Sequence, residues 1–151
     1  LAKTSKTPGR TQLINLFRLT DDYRLTDLPG YGFAKVSKSV KEKWQTTLSN
    51  YLQKRECLQA LVVFMDIRHP LKETDKQILN WAVSAEIPTH VVLSKADKLK
   101  SGARKAAHLA TNKHLARISP EITSQVFSAT QKIGTEALIN KLKLWYGFTD
   151  E

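Results

Sequence analysis

The order of secondary structure predicted for the second half of the chain constrains the fold more than any other feature. Residues Ala60 to Met65 are continuously apolar, as expected of a strand covered on both faces of a parallel sheet. Predicted helices and strands then alternate to the end of the chain. The helices are expected at 73–85, 101–117 and 136–145, and the strands at 90–93 and 125–127. This alternation requires right-handed crossovers, so the sequence predicts an α/β fold with a mostly parallel sheet and helices on both faces.

The first half of the chain is predicted to add an antiparallel hairpin and a helix. Leu13 to Leu19 and Tyr23 to Leu28 have strand character, and the short segment Thr20-Asp21-Asp22 between them suits a turn. Ser39 and Glu42 then have the spacing of a capping box, in front of an amphipathic helical pattern. With 151 residues we expect one domain, with the hairpin at the edge of its sheet.

Polar residues stand at the carboxyl ends of the predicted strands. Asp27 lies near the end of the second hairpin strand, and Asp66, Ser94 and Ser128 follow the three parallel strands. Ligands of such sheets bind beyond the carboxyl ends of the strands. The sequence therefore predicts a ligand site along this rim.

The segment Ser94-Lys95-Ala96-Asp97 indicates recognition of a purine base. The Asp97 carboxylate could accept hydrogen bonds from both N1–H and the 2-amino group of guanine, a pairing that adenine cannot offer. Lys95 would lay its aliphatic stem along the base or a neighbouring loop, with its ammonium donating to backbone carbonyls. In Phe127-Ser128-Ala129, the amides of the last two residues would reach the guanine carbonyl oxygen. The alternative is an ordinary strand end with Ser94 capping a turn, because a four-residue pattern is loose.

The segment Asp27-Leu28-Pro29-Gly30 suits the phosphate end of the same ligand. Asp27 could act as an outer-sphere ligand to Mg²⁺, which prefers a few carboxylate oxygens and waters. The Gly30 amide could donate to a γ-phosphate, since a side chain would block close approach. Thr11, in Gly9-Arg10-Thr11-Gln12-Leu13, could supply a hydroxyl to the metal. The alternative is a plain turn, because Pro-Gly is common turn chemistry.

Together these motifs resemble those of the EngB/YihA/YsxC GTPases, within the translation-factor-related Era and TrmE-like group. The likeness covers essentially the whole chain and rests on residues 5–12, 27–34, 66–70 and 94–98. It implies a P-loop GTPase-type (Ras-like) G domain that binds GTP and GDP, uses Mg²⁺ and switches conformation with the nucleotide.

The resemblance also carries biological expectations. It implies a bacterial cytoplasmic GTPase that acts in assembly of the large ribosomal subunit, with rRNA and ribosomal proteins as partners. It further implies a link to cell division and septation. We expect a monomer. No membrane partner is expected, because the longest apolar run has six residues and is too short to cross a bilayer.

One part of the family's site has no counterpart in the sequence. No Gly-x-x-x-x-Gly-Lys-Ser/Thr phosphate loop occurs in the 151 residues, whereas the resemblance implies one upstream of Leu1. We therefore expect these residues to be a fragment of the domain, with poor nucleotide affinity and negligible hydrolysis alone. Tyr31 stands where many GTPases place a glutamine that orients the attacking water, which predicts slow intrinsic turnover.

Charge supports a second interpretation. The chain has 24 Lys and Arg against 14 Asp and Glu, a net charge of +10, which favours a polyanionic partner or reflects solvated helix faces. The competing hypothesis is a basic RNA-binding or scaffold domain on a degenerate G fold without nucleotide turnover. The single cysteine, Cys57, excludes an internal disulfide and fits a reducing compartment.

Overall fold

The computed structural model describes residues 15–18 and 24–27 in their backbone, Glu42 and Thr46, and residues 60–146. The chain divides into two units, Leu1–Arg55 and Glu56–Glu151. The segments 9–13 and 28–34, the turn expected at 20–22 and the cap expected at Ser39 lie outside the described residues. The single-domain expectation stays a prediction.

Two short strands of the first unit pair in antiparallel fashion. They are β1, Asn15–Arg18, and β2, Arg24–Asp27, with Asn15 opposite Asp27 in the register. The predicted antiparallel pairing is confirmed, and Asp27 is the last residue of β2. Glu42 and Thr46 are helical, and the Thr46 hydroxyl donates to the Glu42 carbonyl at 2.9 Å. Placement of the hairpin at the edge of the parallel sheet stays a prediction.

The second unit contains a three-stranded parallel sheet. Its strands are β3, Leu61–Asp66, β4, Thr89–Ser94, and β5, Thr123–Val126, in the order β3-β4-β5. Asp66 stands opposite Ser94, and Leu93 opposite Val126. The carboxyl ends of the three strands are therefore aligned along one rim, as the sequence predicts.

Between residues 60 and 146 three α-helices accompany this sheet. They are α1, Glu73–Ser84, α2, Ser101–Ile118, and α3, Thr135–Tyr146, each within one residue of its predicted bounds. Acidic residues in the first turn of α1 complement the positive end of its dipole. One of them, Asp75, also accepts the Lys72 N–H at 2.9 Å.

The helices cover both faces of the sheet. On α2, His108 Nε2 lies 3.0 Å from Ser124 Oγ, whereas on α3 the Trp145 ring packs edge-on against His90, with 6.1 Å between centroids. Ser124 stands opposite Val91, the neighbour of His90, and neighbouring residues of a strand point to opposite faces. α2 and α3 therefore lie on opposite faces, while α1 packs against α2, β3 and β4.

Burial is deepest on β4 rather than on β3. Val91, Val92 and Leu93 have no exposed surface, so the central strand is covered on both faces. On β3 the residues of one face are buried, but Phe64 on the other is 48% exposed. The expectation that Ala60 to Met65 is covered on both faces is therefore wrong for the face that carries Phe64, where this side chain lies half-exposed.

A polar cluster around the buried His90 joins β4 to β5 beneath α3. His90 Nδ1 lies 2.7 Å from Thr123 Oγ1, and Nε2 lies 2.9 Å from Gln125 Oε1. Burial lowers the pKa of His90, because a charged imidazolium loses its hydration there. Both ring nitrogens thus have hydrogen-bond partners. A buried histidine therefore lowers the stability of the fold little, because none of its polar atoms is left unsatisfied.

Removal of the Leu79 side chain tests the core between α1 and the sheet. Leu79 is fully buried, so Leu79→Ala is expected to lower the free energy of unfolding by about 2–5 kcal/mol through lost burial and the cavity left behind. Leu109→Ala on α2 is the control, because Leu109 is 59% exposed and its loss should change stability by about 0.5 kcal/mol or less. Equal effects in urea denaturation would contradict this packing.

Candidate functional site

Backbone hydrogen bonds bring three segments together at the carboxyl ends of the parallel strands. The Phe127 N–H donates to the Leu93 carbonyl at 2.8 Å, and the Phe127 carbonyl accepts the Ala96 N–H at 2.9 Å. On the other side, the Ile67 N–H donates to the Ser94 carbonyl at 3.0 Å. The segments after β3, β4 and β5 thus form one continuous rim, and Ser94 to Asp97 occupy its middle.

The segment after β4 makes a tight turn with a left-handed residue that the sequence does not predict. Lys95 has left-handed backbone angles, φ 57° and ψ 36°, and Ala96–Lys98 form one turn of 3₁₀ helix. A left-handed conformation costs a residue with a side chain roughly 1 kcal/mol or more. The contacts of buried Ala96 with Phe127 offset that cost. The reversal of the chain at Lys95 places Asp97 on the rim.

The Asp97 carboxylate is held by Ser128. Asp97 Oδ1 accepts the Ser128 hydroxyl at 2.7 Å, and Ser128 is fully buried. This hydrogen bond is the main cause that lowers the pKa of Asp97, because it favours the charged carboxylate. Asp97 itself is half-exposed. The rim therefore presents an ionised, oriented acceptor for donors on a ligand.

The loop after β5 fixes the serine that makes this contact. The Ser128 N–H donates to the Ile133 carbonyl at 2.9 Å, and the Ile133 N–H donates back at 3.0 Å. Gly134 follows with φ 76°, a backbone angle that favours glycine. The Ser128 amide, predicted to reach a base carbonyl, is thus engaged within its own loop. Ser128 contributes through its hydroxyl instead, and the role of the Ala129 amide stays a prediction.

A charge cluster flanks the turn on the side of β3. Arg68 donates to both oxygens of Asp66, at 3.0 Å from Nε and 2.8 Å from Nη2, and its backbone N–H adds a third bond at 2.9 Å. These hydrogen bonds hold the pKa of Asp66 well below its usual range. The Lys95 ammonium lies 3.8 Å from Asp66 Oδ2. The structure thus places this ammonium beside a carboxylate, whereas the sequence predicted backbone carbonyls as its partners. That its stem follows a base or a neighbouring loop stays a prediction.

The ion pair of Asp66 and Arg68 was missed by sequence reasoning. Opposite charges two residues apart, at the end of an apolar strand, were the available signal. The Phe64 ring also stacks on Phe127, at 6.0 Å between centroids and 11° between planes. This stack ties the ends of β3 and β5 on the face of the sheet to which both side chains point.

The structure leaves the predicted phosphate end of the site as a prediction. Asp27 is placed in its backbone at the end of β2, while Thr11 and Gly30 lie outside the described residues. Among the residues described, no three His, Cys, Asp or Glu side chains cluster to hold a metal. A Mg²⁺ ion needs no such cluster, because it takes one or two protein ligands together with phosphate oxygens and waters.

Removal of the Arg68 guanidinium tests the charge cluster. Arg68→Gln is expected to raise the pKa of Asp66 toward its ordinary value of about 3.8, measured by carboxyl ¹³C NMR titration. A carboxyl group whose pKa is lowered by folding stabilises the fold above its unfolded pKa and loses that stabilisation as pH falls. The variant should therefore lose stability at neutral pH and converge with wild type in acid. An unchanged Asp66 titration, with Arg117→Gln as control, would contradict the ion pair.

Comparison with known proteins agrees with this geometry. A family model described as "50S ribosome-binding GTPase" matches residues 1–95. The probable GTP-binding protein EngB of Vibrio vulnificus (strain YJ016) is 54% identical over 146 residues, which cover 97% of this chain and 68% of the relative. That of Idiomarina loihiensis is 53% identical over 97% of this chain and 71% of its own length.

Solved structures show the same fold. A crystal structure of a probable GTP-binding protein EngB superposes with a TM-score of 0.73 at 20% identity, covering 93% of this chain and 83% of the other. A point variant of Aquifex aeolicus Era, solved with GDP and AlF₄⁻, gives a TM-score of 0.63 at 16% identity, covering 87% and 43%. The parallel sheet with flanking helices is thus the P-loop GTPase fold. On the family model and the identity to its relatives, the chain belongs to the EngB family of GTP-binding proteins.

Proposed function

We propose that this chain is a GTP-binding protein of the EngB type, a Mg²⁺-dependent GTPase switch that acts in assembly of the large ribosomal subunit. The observation that carries the proposal is the Asp97 carboxylate, ionised and held by the buried Ser128 hydroxyl at 2.7 Å on the rim of the sheet. Membership of a GTP-binding family supports GTP hydrolysis as the general activity. We further propose that the protein is a cytoplasmic monomer with a part in cell division.

Guanine recognition follows from the geometry around Asp97. Its carboxylate offers two oxygens, and one lone pair is used by Ser128, which leaves acceptor capacity for N1–H and the 2-amino group of guanine. Adenine has a lone pair at N1 and no 2-amino group, so it would leave the carboxylate unpaired in a closed site. Ser94, Lys95, Ala96, Phe127 and Ala129 complete the proposed base site.

We propose that the residues around Thr11 and Asp27 bind the phosphates of the nucleotide. Thr11 and Asp27 are the side chains proposed for Mg²⁺, the latter through water. When bound, Mg²⁺ would neutralise charge on the β- and γ-phosphates. The amide of Gly30 would donate a hydrogen bond to the γ-phosphate. Loss of the γ-phosphate on hydrolysis would then release the segments 9–13 and 28–30, and this release would change the surface offered to a partner.

A ribosomal partner is supported by family and charge. The matching family model is described as ribosome-binding, and a net charge of +10 suits rRNA, whose phosphates attract basic surfaces. Within the part of the chain that the structure describes, no helix is long and apolar enough to cross a membrane.

The competing function is a basic RNA-binding scaffold without nucleotide turnover, which the same net charge favours. Such a scaffold would not require the left-handed conformation of Lys95, or the hydrogen bond from Ser128 to Asp97, at the rim of the sheet. Nucleotide binding therefore explains more of the structure than charge alone.

Exchange of Asp97 for asparagine tests the proposal. The amide of Asp97→Asn can still accept from one guanine donor but now presents an N–H₂ group to the other, whereas xanthine offers a carbonyl there. We expect the affinity for GDP to fall roughly 100-fold or more and the affinity for xanthosine diphosphate to rise. Fluorescent nucleotide titration of the full-length gene product measures both.

The matched control is Glu121→Gln, which makes the same change of charge at an exposed position after α2. It should bind GDP as wild type does. If Asp97→Asn keeps wild-type affinity for GDP, or if wild type binds ADP and GDP equally, the proposed function is wrong and the RNA-binding scaffold is favoured.

A further inference from the structure

The Arg104 side chain is hydrogen-bonded to the turn that contains Asp97. Its Nε donates to the Ala96 carbonyl at 3.1 Å, and its Nη2 donates to the Leu99 carbonyl at 3.1 Å. These two carbonyls bracket the 3₁₀ turn that contains Asp97. One planar guanidinium therefore fixes both ends of the turn at once.

The position of Arg104 on its helix explains its reach. It is the fourth residue of α2, and its own N–H donates to the Lys100 carbonyl at 2.8 Å. Side chains on a helix lean toward its N-terminus. A long side chain in the first turn of α2 can therefore reach back to carbonyls five and eight residues earlier in the chain.

Helix electrostatics do not account for this arginine. The N-terminus of a helix carries the positive end of the dipole, where a cation is unfavourable. The first turn of α2 contains no acidic residue to compensate, whereas that of α1 contains Glu73 and Asp75. A residue that breaks a local rule is expected to have a compensating use. The carbonyls of Ala96 and Leu99 are the groups that Arg104 contacts.

The turn needs such support from outside itself. Lys95 holds a left-handed backbone conformation, which persists only where the surroundings fix it. On one side the Phe127 carbonyl accepts the Ala96 N–H at 2.9 Å, and on the other side Arg104 holds the Ala96 carbonyl at 3.1 Å. Both the N–H and the carbonyl of Ala96, one residue before Asp97, are thus hydrogen-bonded to groups outside the turn.

We propose that Arg104 is a positioning residue for the guanine-reading carboxylate. This inference rests on the proposed function, because it assigns Arg104 a role in the same base site. The guanidinium contacts backbone carbonyls, and its effect on a ligand passes through the position of Asp97. Loss of Arg104 should therefore weaken the recognition that needs a fixed carboxylate more than it weakens nucleotide binding in general.

The difference between GDP and inosine diphosphate isolates that recognition. Inosine keeps N1–H but lacks the 2-amino group, so the ratio of the two affinities measures the second hydrogen bond to Asp97. In Arg104→Ala of the full-length gene product, we expect GDP affinity to fall about tenfold, as two charge-assisted hydrogen bonds are lost. The preference for GDP over inosine diphosphate should shrink toward one.

Two further variants complete the experiment. Arg104→Lys keeps the charge but lacks the planar fork that bonds two carbonyls, so its preference for GDP should fall between those of wild type and Arg104→Ala. Arg117→Ala is the control, because Arg117 is exposed in the last turn of the same helix, and it should retain the wild-type preference. A smaller folded fraction would lower both apparent affinities equally, so the ratio distinguishes positioning from a general loss of stability.

The outcomes separate this inference from the proposed function. If wild type discriminates between the two nucleotides and Arg104→Ala discriminates as strongly, Arg104 has no positioning role while the proposed function stands. If wild type shows no preference for guanine nucleotides, the proposed function fails and the inference fails with it. Should Arg104→Ala not fold, Arg104→Gln carries the same test with a side chain of similar reach.

Discussion

The hydrogen bond from the Ser128 hydroxyl to Asp97 is the interaction on which the site depends. It joins the loop after β5 to the turn after β4 at 2.7 Å, and a hydroxyl donor against an ionised carboxylate makes a strong hydrogen bond. The loop in turn fixes Ser128 through reciprocal bonds with Ile133. Without these supports, a half-exposed aspartate on a one-turn helix would have no defined orientation toward a ligand.

The aligned parallel strands make this interaction possible. Register places Asp66 opposite Ser94 and Leu93 opposite Val126, so the three following loops begin side by side. The buried central strand β4 keeps the loop with Asp97 between its neighbours. Residues that are distant in the sequence therefore come together because of hydrophobic burial and β-pairing. The position of the polar residues on the rim depends on these interactions.

Periodicity and apolar runs were enough to predict the parallel strands, the three later helices and the rim on which Asp66, Ser94 and Ser128 lie. Burial was assigned less well, because the same apolar composition suits the edge strand β3 and the central strand β4. The left-handed Lys95 was not foreseen, since lysine has no preference for that conformation and only tertiary contacts impose it. The roles of the Ser128 hydroxyl and of Arg104 depend on contacts across 31 and 8 residues, which local patterns do not encode.

The most direct test of the base-reading role is a crystal structure of the full-length gene product with GDP. The Asp97 carboxylate should lie about 2.7–3.2 Å from both N1 and the 2-amino nitrogen of guanine, with the Ser128 hydroxyl still bonded to it. A guanine base bound elsewhere, or an Asp97 side chain turned away from it, would contradict recognition of the base by Asp97.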